Sequence, residues 1–209
     1  MADDTSLCSE ENQKITTEYY PSVVERYFTS GYQVNLPKCW KKGTDEPSEA
    51  NFNDVRILRH SNKICIVTIA PSHPLIKQAE TYKVTGISLK VTEKLDRSQN
   101  QVHGKRKRGA HWLNPSSPLC IISCEDGSRH TVYCGIRGSL IEINPRLLND
   151  PSLLQKSYET NGYIAIVMPK LIEGNQIMDS LLNEEEYQSY LRSCSKQTIN
   201  FGIAADIPS

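Results

Sequence analysis

Apolar and polar residues alternate along much of the chain, and this period of two predicts strands. Val55, Ile57 and the apolar run 64–69 flank His60-Ser61-Asn62-Lys63. A turn-like tetrad between two such runs predicts a hairpin. Ile87, Leu89 and Val91 alternate with Ser88, Lys90 and Thr92, the pattern of one half-buried strand. Further short strands are expected at 119–122, 131–133, 140–143 and 163–168, separated by Gly, Pro and Asn turns. Their spacing argues for a barrel-like or sandwich core.

Helical periodicity is confined to the two ends of this β region. Pro21-Ser22 opens the run 23–28, where proline at a first turn and apolar spacing predict one short docking helix. Asn183 stands three residues before Glu186, with Glu184 and Glu185 between. That arrangement predicts a capping box and a helix over 183–194. Tyr187 and Tyr190 fall three apart on it and are expected to dock it onto the sheet. Tyr27, Tyr32, Tyr133 and Tyr163 lie in apolar runs and read as core residues with a hydroxyl reaching the surface. Residues 1–20 are polar and acidic and read as a disordered tail, with 195–209 as a flexible one. The stretch 37–53 holds two prolines, a glycine and many charges, so a loop or insertion is expected inside one domain over 21–193.

Composition narrows the function classes. Lys+Arg and Asp+Glu are equal at 24 each, so no global field favours a polyanion or a membrane surface. No apolar run approaches the ~20 residues of a membrane span, and the expectation is a soluble protein without a membrane partner. The start, through Lys14, is acidic and has no signal-peptide core. Seven cysteines at irregular spacings suggest reduced thiols in cytosol or nucleus.

Candidate chemistry is sparse. Lys105-Arg106-Lys107-Arg108 is the sharpest charge feature, with His103 and His111 beside it and Trp112 following. It fits a nuclear-import or nucleic-acid patch, a contact for an acidic protein surface, or a solvated loop. Cys120, Cys124, His130 and Cys134 lack the short Cys-x-x-Cys pairs of zinc sites and read better as small buried hydrophobes. Neither metal nor cofactor is expected. His60-Ser61 and Ser72-His73 are sequence neighbours, which rarely present dyad geometry, and their hydroxyls suit turn capping. No nucleophile elbow, phosphate loop or His-Glu-x-x-His occurs, so no enzyme is expected. Arg137-Gly138 fits a partner contact or a tight turn into a strand. Asp126-Gly127 fits a two-residue type I′ hairpin turn.

A resemblance rests on the order of these motifs. A strand, the Gly127 turn, a second strand, Ile136-Arg137-Gly138, Ile141-Glu142-Ile143-Asn144, Pro151-Ser152-Leu153-Leu154, Asn161-Gly162-Tyr163 and a closing acidic helix resemble the glycine-cleavage H-protein. That likeness implies a mainly β (α+β) single hybrid motif with flanking helices, a biotinyl/lipoyl-like barrel-sandwich. Counted back from Gly138, the carriers' modified lysine falls on Gly127, and no lysine occurs from Pro115 to Gln155. The expected fold is therefore non-lipoylated. A closer resemblance runs over about residues 21–192. It is carried by Pro21-Ser22-Val23-Val24-Glu25-Arg26-Tyr27-Phe28-Thr29, Arg59-His60-Ser61-Asn62-Lys63-Ile64-Cys65, Gly104-Lys105-Arg106-Lys107-Arg108-Gly109-Ala110 and Asn161-Gly162-Tyr163-Ile164-Ala165. Ser72-His73-Pro74, Ile136-Arg137-Gly138 and Pro169-Lys170 add to it. These blocks look like the Abitram (Simiate) family, whose pattern carries an apolar residue where Arg106 stands. The family implies a non-catalytic actin-binding protein acting on actin polymerisation, filopodia and dendrite branching. It further implies residence in nuclear speckles and in cytoplasm and cell projections (lamellipodium, growth cone, dendrite). A link to transcription, through nuclear proteins or RNA, belongs to the same implication.

Overall fold

The computed structural model describes residues 20–34, 53–105, 107–170 and 176–202, with 195–202 as backbone alone. The expected acidic tail (Tyr20 apart), nearly all of the 37–53 loop, Arg106 and the stretch 203–209 lie outside the described residues.

Ser22 accepts from the Glu25 amide while the Glu25 carboxylate accepts from the Ser22 amide, and this capping box starts α1, Val23–Tyr27. Strands β1 (Phe28–Gln33), β2 (Val55–His60) and β3 (Cys65–Ile69) follow. Next come α2 (Pro74–Lys77), β4 (Val84–Ser88), β5 (Lys90–Thr92), β6 (Leu95–Asp96) and a 3-10 turn at Arg97–Gln99. The remainder is β7 (Trp112–Leu113), β8 (Pro118–Cys124), β9 (Arg129–Tyr133), β10 (Gly138–Ile143), α3 (Arg146–Asn149), α4 (Leu153–Lys156), β11 (Ala165–Met168), α5 (Gln176–Asp179) and α6 (Glu184–Gly202).

Every strand pairing is antiparallel. One sheet runs β1-β2-β3-β11-β10-β7, a second β4-β8-β9, and β5-β6 forms a small ribbon. Inward residues of both larger sheets share one core. Ile57, Val67 and Val167 come from the first, Leu119, Ile122 and Val132 from the second, with Leu75, Leu147 and Leu154 from the helices. The expected mainly β fold with flanking helices is present. The barrel is not: the sheets remain open, and β1 and β7 are separate edges of the larger one.

The β2–β3 hairpin turns at His60–Lys63 as its pattern predicts, with Lys63 at φ +71°. The single strand expected through Leu89 is broken there into β4 and β5, because the Leu89 carbonyl accepts from Arg97. The β8–β9 turn also differs from expectation. Gly127 N–H donates to the Cys124 carbonyl, Cys124 N–H donates to the Ser128 carbonyl, and only Gly127 among these residues has positive φ, +81°. That is a three-residue turn closed by a glycine bulge, not a type I′ pair. Asp126 holds it by accepting from the Ser128 amide and hydroxyl at 3.0 and 2.7 Å.

Other glycines of the resemblance are packing requirements. A Cβ on Gly138 would stand 2.6 Å from Val167 Cγ1, and one on Gly162 2.1 Å from the Leu153 carbonyl oxygen. Asn144, fully buried, donates to the carbonyls of Asn161 and Tyr163 and accepts from the Arg146 amide, tying the end of β10 to the segment before β11. These motifs hold the fold. Arg137, beside Gly138, is exposed.

The terminal helix docks as its tyrosines predict, and it is longer than predicted. Asn183 and Glu186 exchange the two capping bonds at 2.9 and 2.8 Å. α6 then continues past residue 194 to Gly202, because no proline or glycine interrupts the run before that position. Tyr187 is buried and lies flat on Tyr32, centroids 4.1 Å apart. Its hydroxyl donates to Asp54 at 3.0 Å and bonds Ser72, so the Ser72 hydroxyl serves helix docking instead of capping a turn. At the other end the expectation fails in part. α1 buries only Val24, and Tyr27 is 54% exposed because the chain turns into β1 one residue later.

Burial raises the Asp54 carboxyl from 3.8 to about 6, although the Tyr187 hydrogen bond pulls the other way. The folded protein therefore binds more protons than the unfolded chain across that window, and this term's stabilisation is full below pH 3.8 and lost as pH rises through about 6. His73, buried against His130, is lowered from 6.5 to about 3 and contributes with the opposite slope. Asp54→Asn isolates the carboxylate: the stability of native protein minus variant, from urea unfolding, is expected to fall by about 2 kcal/mol between pH 4 and pH 7. A pH-independent difference would contradict a protonated, buried Asp54.

Candidate functional site

The described residues of the basic run, Lys105, Lys107 and Arg108, lie at a chain reversal between the Arg97–Gln99 turn and β7. His103 and Arg108 pair through two backbone bonds of 2.9 and 3.0 Å, and the Lys107 amide donates to the Gly104 carbonyl at 3.1 Å. Gly104 and Lys107 take positive φ, +66° and +52°, which lets four residues reverse the chain. Lys105 and Arg108 are exposed and Lys107 half-buried, while Arg106 lies outside the described residues.

The neck of this hairpin is anchored by groups that only the fold brings together. Gly109 passes so close to Gln101 that a Cβ would sit 2.3 Å from its carbonyl oxygen. Asn100 donates to the Leu140 carbonyl at 3.0 Å and accepts from the His111 amide at 2.8 Å, and Leu140 N–H donates to the His111 carbonyl at 2.8 Å. Buried Arg97 donates to the Pro118 carbonyl at 3.0 Å and faces His111 Nδ1 at 3.5 Å. His111 thus belongs to the neck, whereas His103 is exposed with the basic tip.

The register adds a residue that sequence position could not. Trp112 pairs with Ser139, Ser139 with Met168, and Lys170 stands two residues beyond. Its Nζ lies 5.1 Å above the Trp112 ring, a cation–π contact on a tryptophan that is 42% exposed. Among the described residues none of Lys105, Lys107, Arg108 and Lys170 joins an ion pair. The result is a positive turn on an anchored neck, without an ion pair among the described residues, followed in the chain by an exposed aromatic. It suits a partner with acidic surface or phosphates.

The other sequence candidates lie apart from this tip. The buried thiols of Cys65, Cys120 and Cys134 are pushed up to about 11, 12 and 12 by burial, so they stay protonated at neutral pH. Cys120 and Cys124 are both buried on the inward face of β8. Among the described residues no cluster of three or more His, Cys, Asp or Glu is arranged to hold a metal. His73 Nδ1 accepts from the Leu75 amide, capping α2, and its neighbour Ser72 faces Tyr187. Gly127 tops the separate three-stranded sheet, with nothing within 4 Å of where a side chain would begin.

No family model matches the chain. Curated relatives do. Protein Abitram of Xenopus tropicalis is 43% identical over 174 residues, covering 83% of this chain and 88% of the relative. Protein Abitram of Homo sapiens is 40% identical over 172 residues, 82% and 87% of the two chains. The Dictyostelium discoideum Protein Abitram is still 30% identical over 166 residues, 79% and 86%. Among solved structures, a glycine cleavage system H protein from Mycobacterium marinum is similar at 12% identity and TM-score 0.42, covering 77% of this chain and 90% of that one. Identity of this extent over four-fifths of the chain is decisive: the chain belongs to the Abitram family.

Proposed function

We propose that this chain is a non-catalytic actin-binding module that contacts actin through the basic hairpin Lys105, Arg106, Lys107 and Arg108. In this reading it acts on actin polymerisation, and through it on filopodia and dendrite branching. It works in cytoplasm and cell projections and resides also in nuclear speckles. The observation that carries the reading is the uncompensated positive tip on an anchored neck, which complements an acidic protein surface. The non-catalytic part is supported by the commitment of Ser72 and His73 to packing and capping.

A second reading has its own observation. Trp112, exposed beside Lys170 and the hairpin, combines an aromatic face with positive charge, the pairing that single-stranded nucleic acid uses for stacking and phosphate contacts. On that reading the partner is RNA or DNA with nuclear proteins, and the link to transcription follows from it.

Replacement of Lys105, Lys107 and Arg108 by alanine is expected to leave urea stability within about 0.5 kcal/mol, since the three make no ion pair among the described residues. The native chain is expected to co-sediment with filamentous actin or bind the labelled monomer at low salt, and the triple variant to lose that affinity by about tenfold or more. Absence of binding to either form of actin removes the first reading. For the second, the affinity for a single-stranded oligonucleotide should fall with salt at a log–log slope of about −0.7 per phosphate contacted, and the slope should flatten in the triple variant.

A further inference from the structure

Large apolar side chains are exposed at few described positions, and three of these cluster in one short stretch. Tyr20 is 80% exposed, Val23 57% and Tyr27 54%. Val23 and Tyr27 are four apart on α1 and share its outer face. Beside them a cleft of about 340 Å³ opens between α1 and the β2–β3 turn. Its lining includes Arg26, Tyr27, Phe28, Arg59, His60 and Ser61.

The cleft is rich in donors. Arg26 spreads over the Tyr27 ring at 5.7 Å with its fork directed by that aromatic, and it is exposed. His60 packs between Tyr27 and Phe28 at centroid distances of 6.5 and 5.0 Å. Its Nδ1 accepts from the Asn62 amide, which places the ring proton on Nε2 as a further donor. Arg59 adds a second guanidinium and Ser61 a hydroxyl. The one acidic residue of the lining, Glu25, has its carboxylate engaged in the α1 capping box. Aromatic faces, the exposed Arg26 guanidinium and an imidazole N–H are complementary to a carboxylate carried beside a large apolar side chain.

We infer that this cleft is a docking site for an acidic protein segment carrying an aromatic or large aliphatic anchor. Anchor and carboxylate enter together: the apolar group covers Val23 and Tyr27, and the carboxylate meets Arg26 and His60. The site is independent of the basic hairpin. β1 and β2, which carry the cleft, begin the six-stranded order that β7, the strand following the basic hairpin, ends.

The test uses the full chain and a short fluorescein-labelled peptide of alternating glutamate and phenylalanine, followed by fluorescence anisotropy. Binding is expected, with affinity lower by about tenfold when lysine replaces the glutamates or serine replaces the phenylalanines. Arg26→Glu and Tyr27→Ala, both at exposed positions, are each expected to weaken it by about tenfold with unfolding midpoints unchanged. The Lys105, Lys107, Arg108 alanine variant should bind the peptide like the native chain, which separates this site from the actin reading. No peptide binding, or equal binding by Arg26→Glu and Tyr27→Ala, overturns the inference. So does displacement of the peptide by a single-stranded oligonucleotide whose own affinity falls in Arg26→Glu, which would make the cleft a phosphate site. A tightening of about tenfold when Asp3, Asp4, Glu10 and Glu11 are changed to their amides also overturns it, since the chain's own acidic segment would then be the occupant.

Discussion

An open antiparallel sheet has two edges with unpaired backbone groups, and how each edge is managed decides where everything else sits. At β1 the management is a pair of backbone bonds: Tyr32 N–H to the Leu182 carbonyl at 2.8 Å, and Leu182 N–H to the Tyr32 carbonyl at 3.0 Å. That bridge delivers Asn183 to the sheet margin, where its side chain starts α6. One turn on, Tyr187 falls on the ring of Tyr32 and reaches Asp54 and Ser72. Gly31 is needed for the same reason, since a Cβ there would stand 2.9 Å from Leu181 and Met178. The opposite edge is handled differently. β7 is two residues long, too short to template another strand, and its N-terminal side leads back to the neck of the basic hairpin.

Local patterns were legible where one face of one element carried the signal. The apolar run 64–69, the reversal at His60–Lys63, the Asn183 and Glu186 box and the docking of Tyr187 all announced themselves through neighbours within a few residues. Quantities set by pairing between distant segments were not legible. Nothing in Trp112 or Lys170 alone announces that two successive strand registers bring them within 5.1 Å. Likewise Asp54 reads as a polar residue leading into a strand, yet it is 3% exposed because α6 closes over it. The Asp126-Gly127 pair illustrates a finer limit. The same dipeptide serves two turn types, and the choice was made by the bond from Cys124 to Ser128, one residue wider than a type I′ turn allows.

Several of the motifs shared with known proteins turn out to be about packing. Gly138, Gly162 and Asn144 occupy positions where a side chain would collide or a buried amide must be satisfied. Blocks of this kind identify a fold by its tightest contacts and say little about a partner. The positions that face outward, Lys105, Arg108, Arg26 and Tyr27, meet few constraints from within and carry the chemistry available to a partner. The blocks of the resemblance thus mix both kinds of position: Gly162 serves packing, while Arg26, Tyr27, Lys105 and Arg108 face outward.

Placing two recognition surfaces on opposite margins of one sheet has an energetic consequence. The strands between them, β3, β11 and β10, contribute buried Cys65, Val67, Val167 and Leu140 to a single core, and such a core resists graded deformation. Where the core between them keeps one arrangement, binding at one margin has no differential contact through which to alter affinity at the other. Free energies at the two surfaces then add, and any cooperativity between partners arises from tethering, not from a change of shape. For a module of this size, with a net charge of zero, the useful property is the fixed separation. If both proposed surfaces are used, the sheet would present a basic hairpin at one edge and the α1 cleft at the other, each attached to backbone paired into the same sheet.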